Sequence, residues 1–204
     1  MEVLIVALLF ILNVGISFWN AYSCGSYWTE SKIAGGWTRV ITWCGLIMAA
    51  CGFTWTYLMI FALLGVGTKV LTPEWGEVML KIGYLILIFP ILGSGLGIWI
   101  HSLVYAFRRR SFGSVAVAGW NTSAQLYNTW QAARTVPGFV DDVIGAFTPK
   151  KGRGKDAGGI LVLIIVVLAL SAGTITTIAI ARWADRKVQV EVAEPERRAM
   201  RARP

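Results

Sequence analysis

Long runs of apolar residues, separated by shorter polar stretches, are the dominant pattern along the chain. Four runs, at about 3–22, 40–66, 78–107 and 159–181, each reach the roughly 20 residues that a helix needs to cross about 30 Å of hydrocarbon. Backbone N–H and C=O groups in lipid must be hydrogen-bonded within their own segment, so each run is predicted to be a helix. The pattern therefore predicts an all-α integral membrane protein with a bundle of four transmembrane helices.

The third run has clear signals for the start of a helix. Thr72 can cap the first turn, Pro73 suits the first helical position and Glu74 places an acid near the N-terminal end of the helix dipole. Glu77 and Lys81 follow at the favourable i,i+4 spacing. Pro90 lies inside this helix and is expected to kink it.

The segment 111–149 is less apolar than the four runs but still shows helical periodicity. Apolar residues recur first at Leu126 and Trp130, and then at Val140, Ile144 and Phe147. Because 135–137, Thr-Val-Pro, is expected to break a helix, we predict a short interfacial amphipathic helical hairpin between helices 3 and 4. It could lie in the membrane interface or cap the bundle.

A fifth crossing near 111–133 is the alternative for this segment. It would place the Arg108–Arg110 cluster and the basic tail on one side of the membrane. It would also require hydrogen-bond partners inside the membrane for several polar side chains, namely Asn121, Thr122, Gln125, Asn128 and Gln131. The sequence leaves the choice between interface and crossing open, and with it the orientation of the termini.

Composition supports a membrane protein and narrows the partners. The chain is 56% hydrophobic and only 15% charged, against about 25% charged in soluble domains. Its formal net charge of +8 is typical of membrane topology signals and of contact with anionic lipid, so no nucleic acid is expected. The sequence predicts a multi-pass protein of the plasma or inner membrane, with other membrane subunits or copies of itself as partners.

Two sets of residues are candidates for docking and for helix packing. The docking set combines the basic clusters with the apolar positions of 111–149: Arg108, Arg109, Arg110, Leu126, Trp130, Val140, Ile144, Phe147, Lys150 and Lys151. The packing set holds small residues at four-residue spacing, which allows close approach of membrane helices: Gly93, Gly97, Gly45, Ala49, Ala169 and Gly173.

Candidates for chemistry are few. Ser94 and His101 are seven residues apart on one helix, so about 10 Å separates them, whereas a nucleophile and its base need about 3 Å. Three cysteines without paired spacing suggest neither a disulfide framework nor a metal centre. We therefore expect no enzyme activity, no cofactor and no metal.

The sequence supports two functions. The first is a non-enzymatic membrane subunit or anchor that docks partners or anionic lipid through its basic, amphipathic 108–158 loop. The alternative is a homo-oligomeric pore or channel lined by Thr174, Thr176 and Thr177. The loop 23–39 is expected to pack against 108–158, and the basic tail 182–204 is expected to be disordered.

Overall fold

The computed structural model describes the backbone of residues 2–148 and 157–201, and the side chains of residues 4, 7–148 and 158–192. Apart from short turns, this part of the chain is helical, and it holds no strand. The helices are α1 (Glu2–Ser26), α2 (Trp28–Ala34), α3 (Gly36–Gly67), α4 (Pro73–Arg109), α5 (Phe112–Phe147) and α6 (Ala157–Arg201).

Four of the described helices are long and apolar enough to cross a membrane. The qualifying segments are Ala7–Ser26, Gly36–Gly67, Pro73–Arg109 and Gly158–Val192. No more than 39% of the apolar window of any of them is buried inside the bundle. The predicted all-helical architecture with four such helices is confirmed.

Consecutive long helices run in opposite directions. The amide of Asn13 donates to Gly52 O at 2.9 Å between α1 and α3, and Leu58 of α3 lies against Gly83 of α4. Helices α4, α5 and α6 continue the alternation. We call the end that carries α2 and the turn between α4 and α5 the α2 end, and the end of α5 the Phe147 end. The first described residue of α1 and the last of α6 therefore lie at opposite ends.

The core lies where α3, α4 and α6 meet. Leu58, Met79 and Val162 are fully buried there. A smaller cluster of Ala21, Ala49 and Phe53 joins α1 to α3. Helix α5 lies outside both clusters except near its C-terminal end.

Local signals set the two turns that direct α4 and α5. The hydroxyl of Thr72 accepts a hydrogen bond from the Trp75 N–H at 3.3 Å, and Pro73 occupies the first turn, as predicted. Helix α5 starts with a reciprocal capping box between Ser111 and Ser114. The chain reverses tightly here because Arg110 takes a left-handed conformation, with φ of 49°.

The structure corrects the predicted hairpin. Residues Phe112–Phe147 form one continuous helix with Pro137 inside it, instead of two short helices broken at 135–137. Proline removes one backbone hydrogen bond, but Phe139 just beyond it packs on Tyr84 of α4, with ring centroids 5.3 Å apart. Contact with α4 on both sides of the proline holds both halves of α5 against α4.

The tail and the first loop also differ from expectation. Helix α6 continues through residues 182–201, where the sequence predicted disorder. Residues 28–34 form α2, which packs against α1, α3 and α6. The Thr29 hydroxyl donates to the Asp185 carboxylate at 2.8 Å. The loop 23–39 therefore docks on α6, whereas the sequence predicted docking on the segment 108–158.

Candidate functional site

Helix α5 lies along α4 over nearly its whole length. Trp99 Nε1 donates to the Thr122 hydroxyl at 2.8 Å toward the α2 end. At the other end, the rings of Trp75 and Phe147 meet edge to face, with centroids 5.6 Å apart. Among the described helices, α4 makes most of the contacts with α5. The C-terminal turns of α5 also touch the core and the start of α6. Helices α4 and α5 therefore form an antiparallel arm beside the core.

Polar side chains of α5 have hydrogen-bond partners where α4 and α5 meet, and these hydrogen bonds are partly buried. Gln125 donates to Leu92 O at 3.2 Å, and its side-chain oxygen would overlap with a Cβ built on Gly95. Thr122 also donates to Ala118 O at 2.7 Å while it accepts from Trp99. Two of the polar residues that seemed costly for a crossing therefore have partners within the chain.

A charge cluster joins the two helices near the Phe147 end. The Lys81 ammonium lies 2.6 Å from a carboxylate oxygen of Glu77, as predicted, and also 2.6 Å from one of Asp142. It further lies 5.6 Å from the ring centroid of Phe139. The Lys81 side chain is only 16% exposed. The sequence interpretation did not anticipate this contact, because Lys81 and Asp142 lie 61 positions apart in the chain.

The outer face of α5 carries most of the apolar docking candidates. In one continuous helix, Leu126, Trp130, Val140 and Ile144 fall along a single stripe. Leu126 is 63%, Trp130 55% and Ile144 60% exposed. Phe147 is less available, because its ring also packs against the first turn of α6 at Gly159. The exposed residues of the stripe have no packed neighbour helix in the described part of the chain.

Arg134 is a functional candidate that sequence reasoning missed. It is exposed on the outer face of α5, and its guanidinium lies 5.5 Å from the ring centroid of Trp130. It falls between Gln125, which bonds Leu92, and Asp142, which pairs with Lys81, so it lies beside the stretch of α4 that these two partners bound. The sequence signal that could have identified it is the i,i+4 spacing of Arg134 from Trp130, an apolar docking candidate.

The small-residue candidates lie at different interfaces. Gly45 and Ala49 are buried on α3, where a Cβ on Gly45 would overlap Cys24 of α1. Ala169 is fully buried, and a Cβ on Gly173 would lie 2.6 Å from the backbone nitrogen of Thr54.

The predicted Gly93 and Gly97 pair is split. A Cβ on Gly97 would meet Cys44 Sγ at 2.8 Å, but one on Gly93 would meet nothing within 4 Å. On α4, Gly83 instead provides a close approach to α3, and Gly95 one to α5.

The three threonines proposed for a pore do not share one environment. Thr176 is hydrogen-bonded to the Tyr57 hydroxyl at 2.9 Å, and Thr177 is buried and donates to Gly173 O at 2.9 Å. Thr174 is exposed and donates to Leu170 O at 2.8 Å. All three hydroxyl groups thus already have a hydrogen bond within the chain, and of the three residues only Thr174 is exposed.

The basic candidates and the lone histidine complete the site description. Arg108, Arg109 and Arg110 are exposed at the α2 end, with the Arg109 guanidinium 5.4 Å from the Tyr105 ring centroid. Lys150 and Lys151 lie outside the described residues. The His101 ring stacks on Tyr105 with centroids 6.3 Å apart. Within the described residues, no three His, Cys, Asp or Glu side chains are grouped as metal ligands would be.

The contacts of Lys81 predict how strongly α5 is held against α4. Lys81→Met should loosen the C-terminal third of α5, because Asp142 loses its partner across the seam. In a double-mutant cycle with Asp142→Asn, we expect a coupling of about 1 kcal/mol, measured by unfolding in mixed micelles. The exposed pair Lys187–Glu191, at 4.0 Å, is the control and should show little coupling. Equal coupling for both pairs would contradict the interpretation.

Comparisons of the chain with known protein families, with curated proteins and with solved structures find no match.

Proposed function

We propose that this chain is a non-enzymatic multi-pass membrane subunit that crosses the membrane five times and assembles with its partners through the outer face of α5. The observation that carries the proposal is Arg134. It lies exposed on that face, beside the stretch of the apolar helix α4 between Lys81 and Leu92.

The depth of α5 follows from that of α4. Helix α4 is long and apolar enough to span a membrane, and α5 lies against it from Trp99–Thr122 to Trp75–Phe147. At 1.5 Å per residue, the 36 residues of α5 extend for about 54 Å, more than the hydrocarbon thickness. If α4 crosses the membrane, α5 crosses with it. An interfacial location for α5 would require the arm to come apart.

If α5 crosses the membrane, exposing the Arg134 side chain on its outer face to lipid costs free energy. An arginine within the hydrocarbon costs up to about 2.5–3.5 kcal/mol on insertion scales. Such residues are usually found facing protein or a water-filled cavity. The Trp130–Arg134 pair, flanked by Leu126 and Ile144, has the composition of an interface centre, where tryptophan and arginine are enriched. A neighbouring protein surface would cover the charge.

The charge distribution supports an orientation with the α2 end in the cytoplasm. Among the described residues, basic side chains concentrate at that end: Lys32, Arg39, Arg108, Arg109, Arg110, Arg182, Arg186 and Lys187. The Phe147 end carries Lys69 and Lys81. Four further basic residues, Lys150, Lys151, Arg153 and Lys155, lie outside the described part of the chain. Counted over the described residues alone, the positive-inside rule favours an exported N-terminus.

The native mass of the protein, extracted from its host membrane into nanodiscs, tests assembly. We expect a mass above the 22.4 kDa of one chain. Trp130→Ala and Arg134→Leu should each shift the population toward the single chain. Arg134→Leu is informative because it removes the charge, so the lone subunit should remain well inserted while the assembly weakens.

Trp19→Ala is the matched control, since Trp19 on α1 is 67% exposed but lies far from α5. It should leave the mass unchanged. A wild-type protein that is a single chain, or an equal loss of assembly in the control, would reject the proposed interface. A mass that is a whole multiple of one chain would identify the partner as a second copy. That result would favour the homo-oligomeric pore, with α5 and not the threonines of α6 facing the lumen.

A further inference from the structure

A groove of about 740 Å³ opens on the side of the bundle, between α3, α4 and α6. Its deep part is lined by apolar side chains, among them Leu46, Cys51, Leu87 and Leu170. Helix α6 packs extensively against α3 but much less against α4. The space left between α4 and α6 forms the groove. Its volume falls in the range of sites for small ligands.

The mouth of the groove lies at the α2 end and is basic and aromatic. Lys32 and Arg182 line it, together with the indoles of Trp28 and Trp43. The two indoles meet edge to face at 5.3 Å, and the Lys32 ammonium lies 4.9 Å from the Trp28 ring centroid. Indoles and basic side chains are the residues that proteins place at the level of lipid headgroups.

One carboxylate, Asp185, also lines the mouth, but it is already engaged. Its two oxygens accept hydrogen bonds from the Thr29 hydroxyl at 2.8 Å and from the Gln189 amide at 3.2 Å. Asp185 therefore holds α2 against α6, and neither of its oxygens is paired with Lys32 or Arg182. The mouth retains an excess of positive charge that fits an anionic group.

The polar side chains deeper in the groove do not conflict with an apolar occupant. Thr174 and Thr177 donate their hydroxyl protons to Leu170 O and Gly173 O, one turn back along α6. Threonine in this arrangement presents its methyl group and leaves no donor unsatisfied. An alkyl chain can therefore lie along α6 without burying an unpaired hydroxyl proton.

We propose that this groove holds one anionic phospholipid. An acyl chain lies between α3, α4 and α6, and the phosphate meets Lys32 and Arg182 at the mouth. The inference rests on the membrane placement proposed above but not on the assembly through α5. The groove lies on the α3–α6 side of α4, whereas α5 lies along another face, so the two surfaces can be tested separately.

Native mass spectrometry of the protein in nanodiscs tests the site, with phosphatidylcholine as the bulk lipid and phosphatidylglycerol as a minor component. The wild type should retain one phosphatidylglycerol far above its share of the bilayer. Lys32→Ala combined with Arg182→Ala should lower that retention by roughly tenfold, because each basic residue near an anionic headgroup contributes a several-fold gain. Ala50→Trp, which fills the groove, should remove the retained lipid whatever its headgroup.

Matched variants separate the site from general charge and bulk. Arg39→Ala combined with Arg186→Ala removes two exposed basic residues at the same end that do not line the groove, and retention should persist. Ala179→Trp adds the same bulk at an exposed position of α6 outside it. Retained lipid that mirrors the bilayer composition, a loss as large in the Arg39 and Arg186 variant, or retention in Ala50→Trp would each overturn the proposal. The same spectra report the oligomeric mass, so a chain that assembles without retaining lipid rejects this inference alone.

Discussion

Residues 111 and 148 should face opposite sides of the membrane, although the intervening segment lacks the hydropathy of a membrane span. Ser111 caps the start of α5 and Thr148 follows its end, and α5 lies along α4 between them. Single cysteines at the two positions, in a chain whose Cys24, Cys44 and Cys51 are replaced by serine, should react with an impermeant maleimide from opposite sides. The expected effect is close to all or none, since a charged reagent does not cross the bilayer.

Lys69 provides the internal control for this topology. It lies in the turn between α3 and α4 at the Phe147 end, so a cysteine there should be labelled from the same side as one at 148. Reporters fused to the two termini should likewise show opposite locations. Labelling of 111 and 148 from one side would mean that α5 does not cross, and the proposed use of Arg134 within the membrane would fail with it.

Gly173→Ala should destabilise the bundle strongly, although alanine is the better helix former. The added Cβ would lie 2.6 Å from the backbone nitrogen and 2.9 Å from the Cα of Thr54, and neither backbone atom can rotate away. Separating α3 from α6 should cost about 1–3 kcal/mol, as overpacking in well-packed cores does. Unfolding of the purified protein in mixed micelles with increasing sodium dodecyl sulfate measures the loss.

Gly93→Ala is the matched control, because Gly93 is also a small residue inside an apolar helix. A Cβ there would meet nothing within 4 Å, so the variant should be neutral or up to about 1 kcal/mol more stable through helix propensity. If both variants lost stability equally, the close contact at Gly173 would not be what limits the substitution. The pair therefore tests which small residues hold helices together.

The sequence by itself determined the helical class and the four apolar helices of this protein. Both follow from local physics, since lipid requires backbone groups to bond within a segment and length sets what can cross. The sequence also predicted the start of α4 at Thr72 and the Glu77–Lys81 ion pair, because capping and i,i+4 contacts involve neighbours in the chain.

Only the tertiary structure decided the course of α5 and the identity of the close contacts. Pro137 is a strong local signal for a break, yet α5 continues through it, with Phe139 on Tyr84 and Asp142 on Lys81 holding its C-terminal part against α4. Gly93 and Gly173 look alike in sequence, but only Gly173 meets another backbone. These outcomes depend on partners dozens of residues away, and the energy of contact with them exceeds the local preferences that a sequence pattern records.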